Sequence, residues 1–260
     1  SFPEKCYKLI DAKLKLHAGK ETDMLNTILF DLDGTLLPFI EEEFVNCYFA
    51  KLVKKAAPLG YEKDALVHAL WTGTKDMTQN NGERTNKAVF WERFHALLGE
   101  NMPELEAAID DFYINEFDTV REVLREDRDC GSMIRNLRDK GYMVVLASNP
   151  LFPATAIRTR LRWIGLELED FHYITTYENS CYTKISPQYY TELLSAINKT
   201  PEQCVMFGNN ALEDGGAAKL GIRTILIRDY LKKEAETDLD DIEQMSFAEA
   251  ENWLDALSQL

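Results

Sequence analysis

No apolar run in these 260 residues approaches the roughly 18 needed to cross a bilayer, and residues 1–23 carry lysines instead of a signal-peptide core. The five cysteines (Cys6, Cys47, Cys130, Cys181 and Cys204) are odd in number, and none is spaced as CxxC or placed beside histidines as zinc ligands are. These absences lead us to expect reduced thiols and a soluble, cytoplasmic protein. Basic charge is also scarce: 29 Lys and Arg against 44 Asp and Glu leave a net charge of −15. Such a chain repels a phosphate backbone, so neither nucleic acid nor a membrane is an expected partner. A small anionic substrate is compatible, because a bound metal and a lysine outweigh surface charge that salt screens beyond about 10 Å. Internal repeats and low-complexity segments are missing too, and the acidic runs at 41–43 and 238–243 read as solvated faces.

What is present is a strand-helix alternation. Short apolar runs at 27–30, 143–147, 204–207 and 224–227 read as buried strands, with a weaker one at 172–176. Helical patterns separate the later runs, one ending at Gly141 and another spanning 153–163. The predicted fold class is α/β, a doubly wound parallel sheet of Rossmann-like type. Ligands bind at the carboxyl ends of such strands, where Asp31, Ser148 and Asn209 fall. Residues 38–128 break the alternation with helical patterns at 43–56, 85–98 and 103–123, and are expected to form a cap closing over the site. The expected domains are therefore an extension at 1–23, a core at 24–37 and 129–260, and a helical cap domain at 38–128. The extension could equally be a packed amphipathic helix, given the spacing of Tyr7, Leu9, Ile10, Leu14 and Leu16.

Asp31 and Asp33 stand where the first apolar run meets a turn led by Gly34. On an extended strand, residues i and i+2 share a face roughly 6 to 7 Å apart, which would aim both carboxylates into one space. Two anions held that close need a cation, a proton or hydrogen-bond donors between them.

The segment Asp31-Leu32-Asp33-Gly34-Thr35-Leu36 resembles the first signature of the haloacid dehalogenase superfamily, whose members are mostly magnesium-dependent phosphatases. Three later segments resemble its other signatures in order: Leu146-Ala147-Ser148-Asn149, then Lys184 with Pro187, then Gly208 through Asp214. The resemblance implies a phosphatase acting on a small phosphorylated metabolite with Mg2+ as cofactor. Asp31 suits the nucleophile, since a carboxylate forms an aspartyl-phosphate and divides one displacement into two. Asp33 suits general acid and then base. Ser148 and Asn149 are expected to bind phosphate, and Lys184 to neutralise phosphoryl oxygens and aspartates. The expected magnesium ligands are Asp31, the Asp33 carbonyl, Asn209 and Asp214, with Glu213 a further nearby acid. Asn209 stands where family phosphatases commonly carry aspartate, and Ile185 where they place a proline beside the lysine. Asn209 retains an oxygen donor but loses a charge, which predicts a weaker metal site.

In the cap, Trp71, Phe90, Trp91 and Phe94 read as core at helical spacing, whereas His68 and His95 read as packing or surface residues. Residues 78–84 form a polar loop in which Arg84 either binds a second anionic group or is an ordinary turn residue. Phe39 is expected at the cavity or the hinge. Alternatives within the fold are a phosphomutase, a dehalogenase, which needs neither metal nor Asp33, and a phosphonate-cleaving enzyme, which needs a cap Schiff-base lysine. A catalytically weak phosphate-binding protein is the alternative from another class.

Overall fold

The computed structural model describes residues 25–99, 102–233 and 242–260; the expected extension lies outside them. Six parallel strands form one sheet: β1 (Thr27–Phe30), β2 (Met143–Leu146), β3 (Tyr173–Ile174), β4 (Cys204–Gly208), β5 (Arg223–Ile227) and β6 (Glu243–Met245), in the order β3-β2-β1-β4-β5-β6. The central strand β1 is wholly buried, and its alternating side chains enter two different cores. Ile28, Phe30, Val144, Leu146, Val205 and Phe207 face one, while Leu29, Val145 and Met206 face the other against Tyr189, Tyr190 and Leu193.

The doubly wound α/β fold predicted from sequence is the observed one. Beyond the predicted strands the chain adds β6, a three-residue edge strand that begins at Glu243, the last residue of the acidic run read as a solvated face. Its pairing is made by the main chain, and its Glu243 carboxylate meets Arg223 at 2.9 Å on the neighbouring β5.

Helices α1 (Glu41–Ala56), α2 (Lys63–Thr78), α3 (Asn86–Leu98) and α4 (Pro103–Asp111) form the cap between β1 and β2. The helix expected over 103–123 ends early: a wide π turn at Phe112–Glu116 and a 3-10 stretch at Phe117–Val123 follow α4, burying Phe112 and Phe117. Buried Asn86, at the start of α3, donates Nδ2 to the carbonyls of Pro150 and Tyr182, which ties cap to core. The remaining core helices are α5 (Gly131–Asp139), α6 (Ala154–Arg162), α7 (Gln188–Ile197), α8 (Gly215–Lys219) and α9 (Phe247–Asp255). Among the described residues no helix is long and apolar enough to cross a membrane.

Candidate active site

β1 ends at Phe30, so Asp31 and Asp33 lie beyond it in a turn and not at paired positions on a strand. The two carboxylates still act on one another, and the cations that relieve them are Lys184 at Asp31 and Arg160 at Asp33. Asp31 is anchored by its own N–H, which donates to the Phe207 carbonyl at 2.8 Å, and its Oδ1 receives Lys184 Nζ at 2.5 Å. Asp33 instead receives Nη1 of Arg160, at 2.7 Å to Oδ1 and 2.6 Å to Oδ2.

The turn closes through Gly34. Its φ of +76° lies in the left-handed region, and a Cβ there would stand 2.1 Å from Asn209 Nδ2, so a side chain is excluded twice over. The same proximity brings the first and fourth signature segments together. Thr35 Oγ1 lies 3.4 Å from Asp31 Oδ2 and 3.3 Å from Asn209 Oδ1, its single proton serving one or the other. Asn209 Nδ2 donates to the Tyr230 carbonyl at 2.8 Å, which orients the amide with its oxygen toward Thr35.

Lys184 is buried in a turn closed by the Ser186 N–H on the Thr183 carbonyl, directly before α7. Ile185, where the family has proline, points outward, so the substitution leaves the lysine in place. Lys184 Nζ also reaches Asp214 Oδ1 at 2.7 Å. Burial works against the ammonium, but Asp214 and Asp31 outweigh it and hold its pKa well above the ordinary lysine value. Burial pushes Asp31 above the usual carboxylate range against the pull of Lys184, with Asp214 and Asp33 adding to the rise.

Asp214, named from sequence as a metal ligand, is fully buried with both oxygens engaged. Oδ1 holds Lys184, and Oδ2 accepts the N–H groups of Asn209 and Asn210 at 2.9 and 2.8 Å. A Cβ on Gly208 would meet its carboxylate carbon at 2.1 Å, so glycine is required for that approach. Asp214 thus anchors the loop and the lysine.

Ser148 and Asn149 follow β2. The Ser148 carbonyl accepts Thr175 Oγ1 at 2.6 Å and the Tyr189 hydroxyl at 3.0 Å, fixing the strand end. Asn149 Oδ1 accepts the Lys184 N–H, and its Nδ2 donates to Glu213 Oε2 at 3.0 Å. Burial lifts Glu213 to about 7, against the pull of Lys184.

Arg160 was missed from sequence. Its side chain is 0% exposed, its guanidinium lies over the rings of Phe152 (4.4 Å) and Phe44 (5.4 Å), and its Nε and Nη2 are buried without a hydrogen-bond partner. Burial raises the Asp33 carboxyl above its ordinary value while Arg160 draws it down and Glu41 pushes it up. The signal was available: Arg160 shares the buried stripe of α6 with Ala156, Ile157 and Leu161, and a fully buried arginine needs a partner.

Asp33, Asn149 and Asn209 open onto a cavity of about 1130 Å³ whose outer wall is the cap. Trp71, expected in the cap core, is 51% exposed and lines this cavity, as do Phe90 and Trp91; Phe94 is buried as expected. Phe39 is fully buried and stacks on Phe44. His68 and His95 do not line the cavity, and neither does Arg84, which pairs with Glu92.

The model of the haloacid dehalogenase-like hydrolases matches residues 25–221. Pyrophosphatase PpaX of Bacillus cereus (strain G9842) is 23% identical over 215 residues, 81% of this chain and 87% of that protein. In fold the chain is similar to a HAD phosphatase from Thermococcus onnurineus (TM-score 0.57, 20% identity, 91% of this chain and 100% of that one). It is equally similar to a 2-haloacid dehalogenase from Pseudomonas syringae pv. Tomato DC3000 (TM-score 0.58, 20% identity, 89% and 99%). With the family model spanning most of the chain and its four signature segments drawn together around Asp31, the protein belongs to the haloacid dehalogenase-like hydrolases.

Proposed function

We propose that the chain is a phosphatase cleaving a small phosphomonoester through an aspartyl-phosphate. The observation that carries this is Asp33, a carboxylate on the cavity wall two residues from the nucleophile and balanced by its own arginine. A departing alkoxide needs a proton donor there, whereas a departing halide needs none. The name PpaX agrees with phosphoryl transfer; the dehalogenase neighbour shares the fold alone.

In this reading Asp31 Oδ2 attacks phosphorus while Lys184 holds Oδ1. The P–O bond to the alcohol breaks as Asp33 gives the departing oxygen its proton. Asp33, now a carboxylate beside Arg160, takes a proton from the water that attacks the phosphoenzyme, releasing phosphate and restoring Asp31. Lys184, the Ser148 hydroxyl and the Asn149 N–H, the one amide proton before Pro150, face the phosphoryl oxygens. The donor set suits a weakly held magnesium ion: Asp31 Oδ2 and Asn209 Oδ1 converge on one hydroxyl, are hard oxygens, and carry one charge between them. These two and the Asp33 carbonyl would hold it, and it would neutralise phosphoryl oxygens when bound.

The test is phosphate release from para-nitrophenyl phosphate with and without Mg2+, in a protein of which we expect a cytoplasmic location. Activity abolished by Asp31→Asn is the expected result. Halide release from a 2-haloacid without phosphatase activity would replace this reading with dehalogenation, and silence under every divalent metal would leave a binding protein.

A further inference from the structure

The cavity in front of Asp33 is larger and more apolar than a small polar leaving group requires. At about 1130 Å³ it slightly exceeds the roughly 300–1000 Å³ of pockets that take drug-sized ligands. A leaving group the size of phosphate or glycolate would leave most of it to water.

Its wall has a direction. Phe152, three residues beyond Asn149, lies 5.7 Å from Phe44, and Phe44 lies 6.2 Å from Tyr48. The rings continue from Tyr48 to Phe49 (5.2 Å) and from Phe49 to Trp71 (5.1 Å). All five line the cavity, so a connected aromatic track leads from beside the catalytic turn into the cap. At its inner end, Arg160 lies over Phe152 and Phe44 while holding Asp33. At its outer end Trp71 is 51% exposed, and Ile40, also on the wall, is 45% exposed. Apolar side chains this accessible, gathered in one concavity, mark a surface awaiting a ligand.

Several polar groups along the wall already have partners. The hydroxyls of Tyr48 and Tyr113 hydrogen-bond to each other. The three basic side chains of the wall each meet an acid: Lys232 pairs with Glu41, Arg125 with Glu43 and Arg228 with Glu249. Glu42 and Asp229 add further negative charge. A leaving group bearing a carboxylate or a second phosphate would have to displace one of these pairs and face the remaining acids.

We infer that the cavity receives the leaving group, and that the substrates are phosphomonoesters of predominantly apolar alcohols, alkyl or aryl, rather than diphosphates or phosphorylated carboxylic acids. This rests on the phosphatase reading above and departs from the activity in the name of the Bacillus relatives.

The test is phosphate release with Mg2+ from a series of methyl, butyl and hexyl phosphate and from 1-naphthyl phosphate, beside pyrophosphate and 2-phosphoglycolate. Expected is a kcat/KM that rises about three- to fourfold per methylene, the rate equivalent of about 0.8 kcal/mol per buried CH2, with the two anionic substrates at least about 100-fold below hexyl phosphate. Hexyl above naphthyl assigns an alkyl group, the reverse an aryl one, and either supports the inference. A series that is flat or falling, or led by pyrophosphate or phosphoglycolate, overturns it while leaving the phosphatase reading intact. A panel silent throughout overturns the phosphatase reading, and a binding arm then decides the inference. Calorimetric titration of the Asp31→Asn variant with hexyl phosphate should show binding with a negative heat-capacity change, weakened at least about fivefold by adding Trp71→Ala. No binding at millimolar concentration overturns it.

Discussion

Arg160 holds Asp33 with a single nitrogen, Nη1, set across both carboxylate oxygens at 2.7 and 2.6 Å, and leaves its other donors buried without partners. The guanidinium fork is therefore not used as a fork. A point charge at the same place would serve Asp33 nearly as well, which distinguishes this pair from one that depends on arginine's planarity.

Arg160→Met should destabilise the fold by about 3 kcal/mol, since breaking a buried ion pair strands the remaining charge. It should also move the alkaline limb of kcat/KM to higher pH by about 1–3 units, because Asp33 loses the cation that favours its charged form and so keeps its proton longer. Arg160→Lys should restore both most of the way. The pH-rate profiles of the three proteins, with urea denaturation alongside, check this; a profile unmoved by methionine would mean that Arg160 only fills space.

Lys184→Met leaves Asp31 and Asp214 facing each other in a buried site without the ammonium that joins them. Loss of turnover and of about 3–5 kcal/mol is expected. A divalent ion then has more to offset in the variant than in the wild type. Thermal unfolding with and without Mg2+ should show the larger rise in Tm for the variant.

Asn209→Asp sets two effects against each other. It adds a charge beside Asp31 Oδ2, which should lower the Mg2+ concentration giving half-maximal activity. It also turns a carboxylate oxygen toward the Tyr230 carbonyl that Nδ2 now serves, costing about 1–3 kcal/mol of stability. A metal titration of activity and a denaturation curve separate the two, and an unchanged metal requirement counts against direct coordination by this side chain.

Glu213 has a native-state value of about 7 against an ordinary 4.5, raised by burial. Between those values the folded protein binds more protons than the unfolded chain. The stabilising contribution is thus complete below about pH 4.5 and lost as pH rises through about 7. In metal-free buffer the wild type should lose stability from pH 5 to 8 relative to Glu213→Gln, measured as the difference between their urea midpoints at the two pH values.

The strands that carry the site were legible because they are buried on both faces and read as continuous apolar runs; Thr27–Phe30 has its predicted bounds. The edge strand Glu243–Met245 was not, since nothing in Glu-Gln-Met distinguishes main-chain pairing from a polar loop. Asp31, Lys184 and Asn209 were found through order and spacing, and the structure gathers them. What spacing could not convey is which partner each group spends its hydrogen bonds on. Asp214 was named for its acid, and its hold on Lys184 and on the Asn209 and Asn210 N–H groups was not legible; Trp71 reads as cap core because helical periodicity marks a face without saying whether protein or a cavity lies against it.

The register that places Thr27 beside Met143, and beside Cys204 on its other edge, has a kinetic side. At a synthesis rate of 5–20 residues per second, the innermost strand emerges on the order of ten seconds before its first neighbour. During that interval Thr27–Phe30 is a bare apolar strand with two open edges, while the helices of the cap, whose contacts are local, have time to assemble. The insertion that shapes the cavity therefore also delays closure of the sheet, and nascent chains are most exposed to aggregation, or to capture by a chaperone, between the emergence of β1 and that of β2.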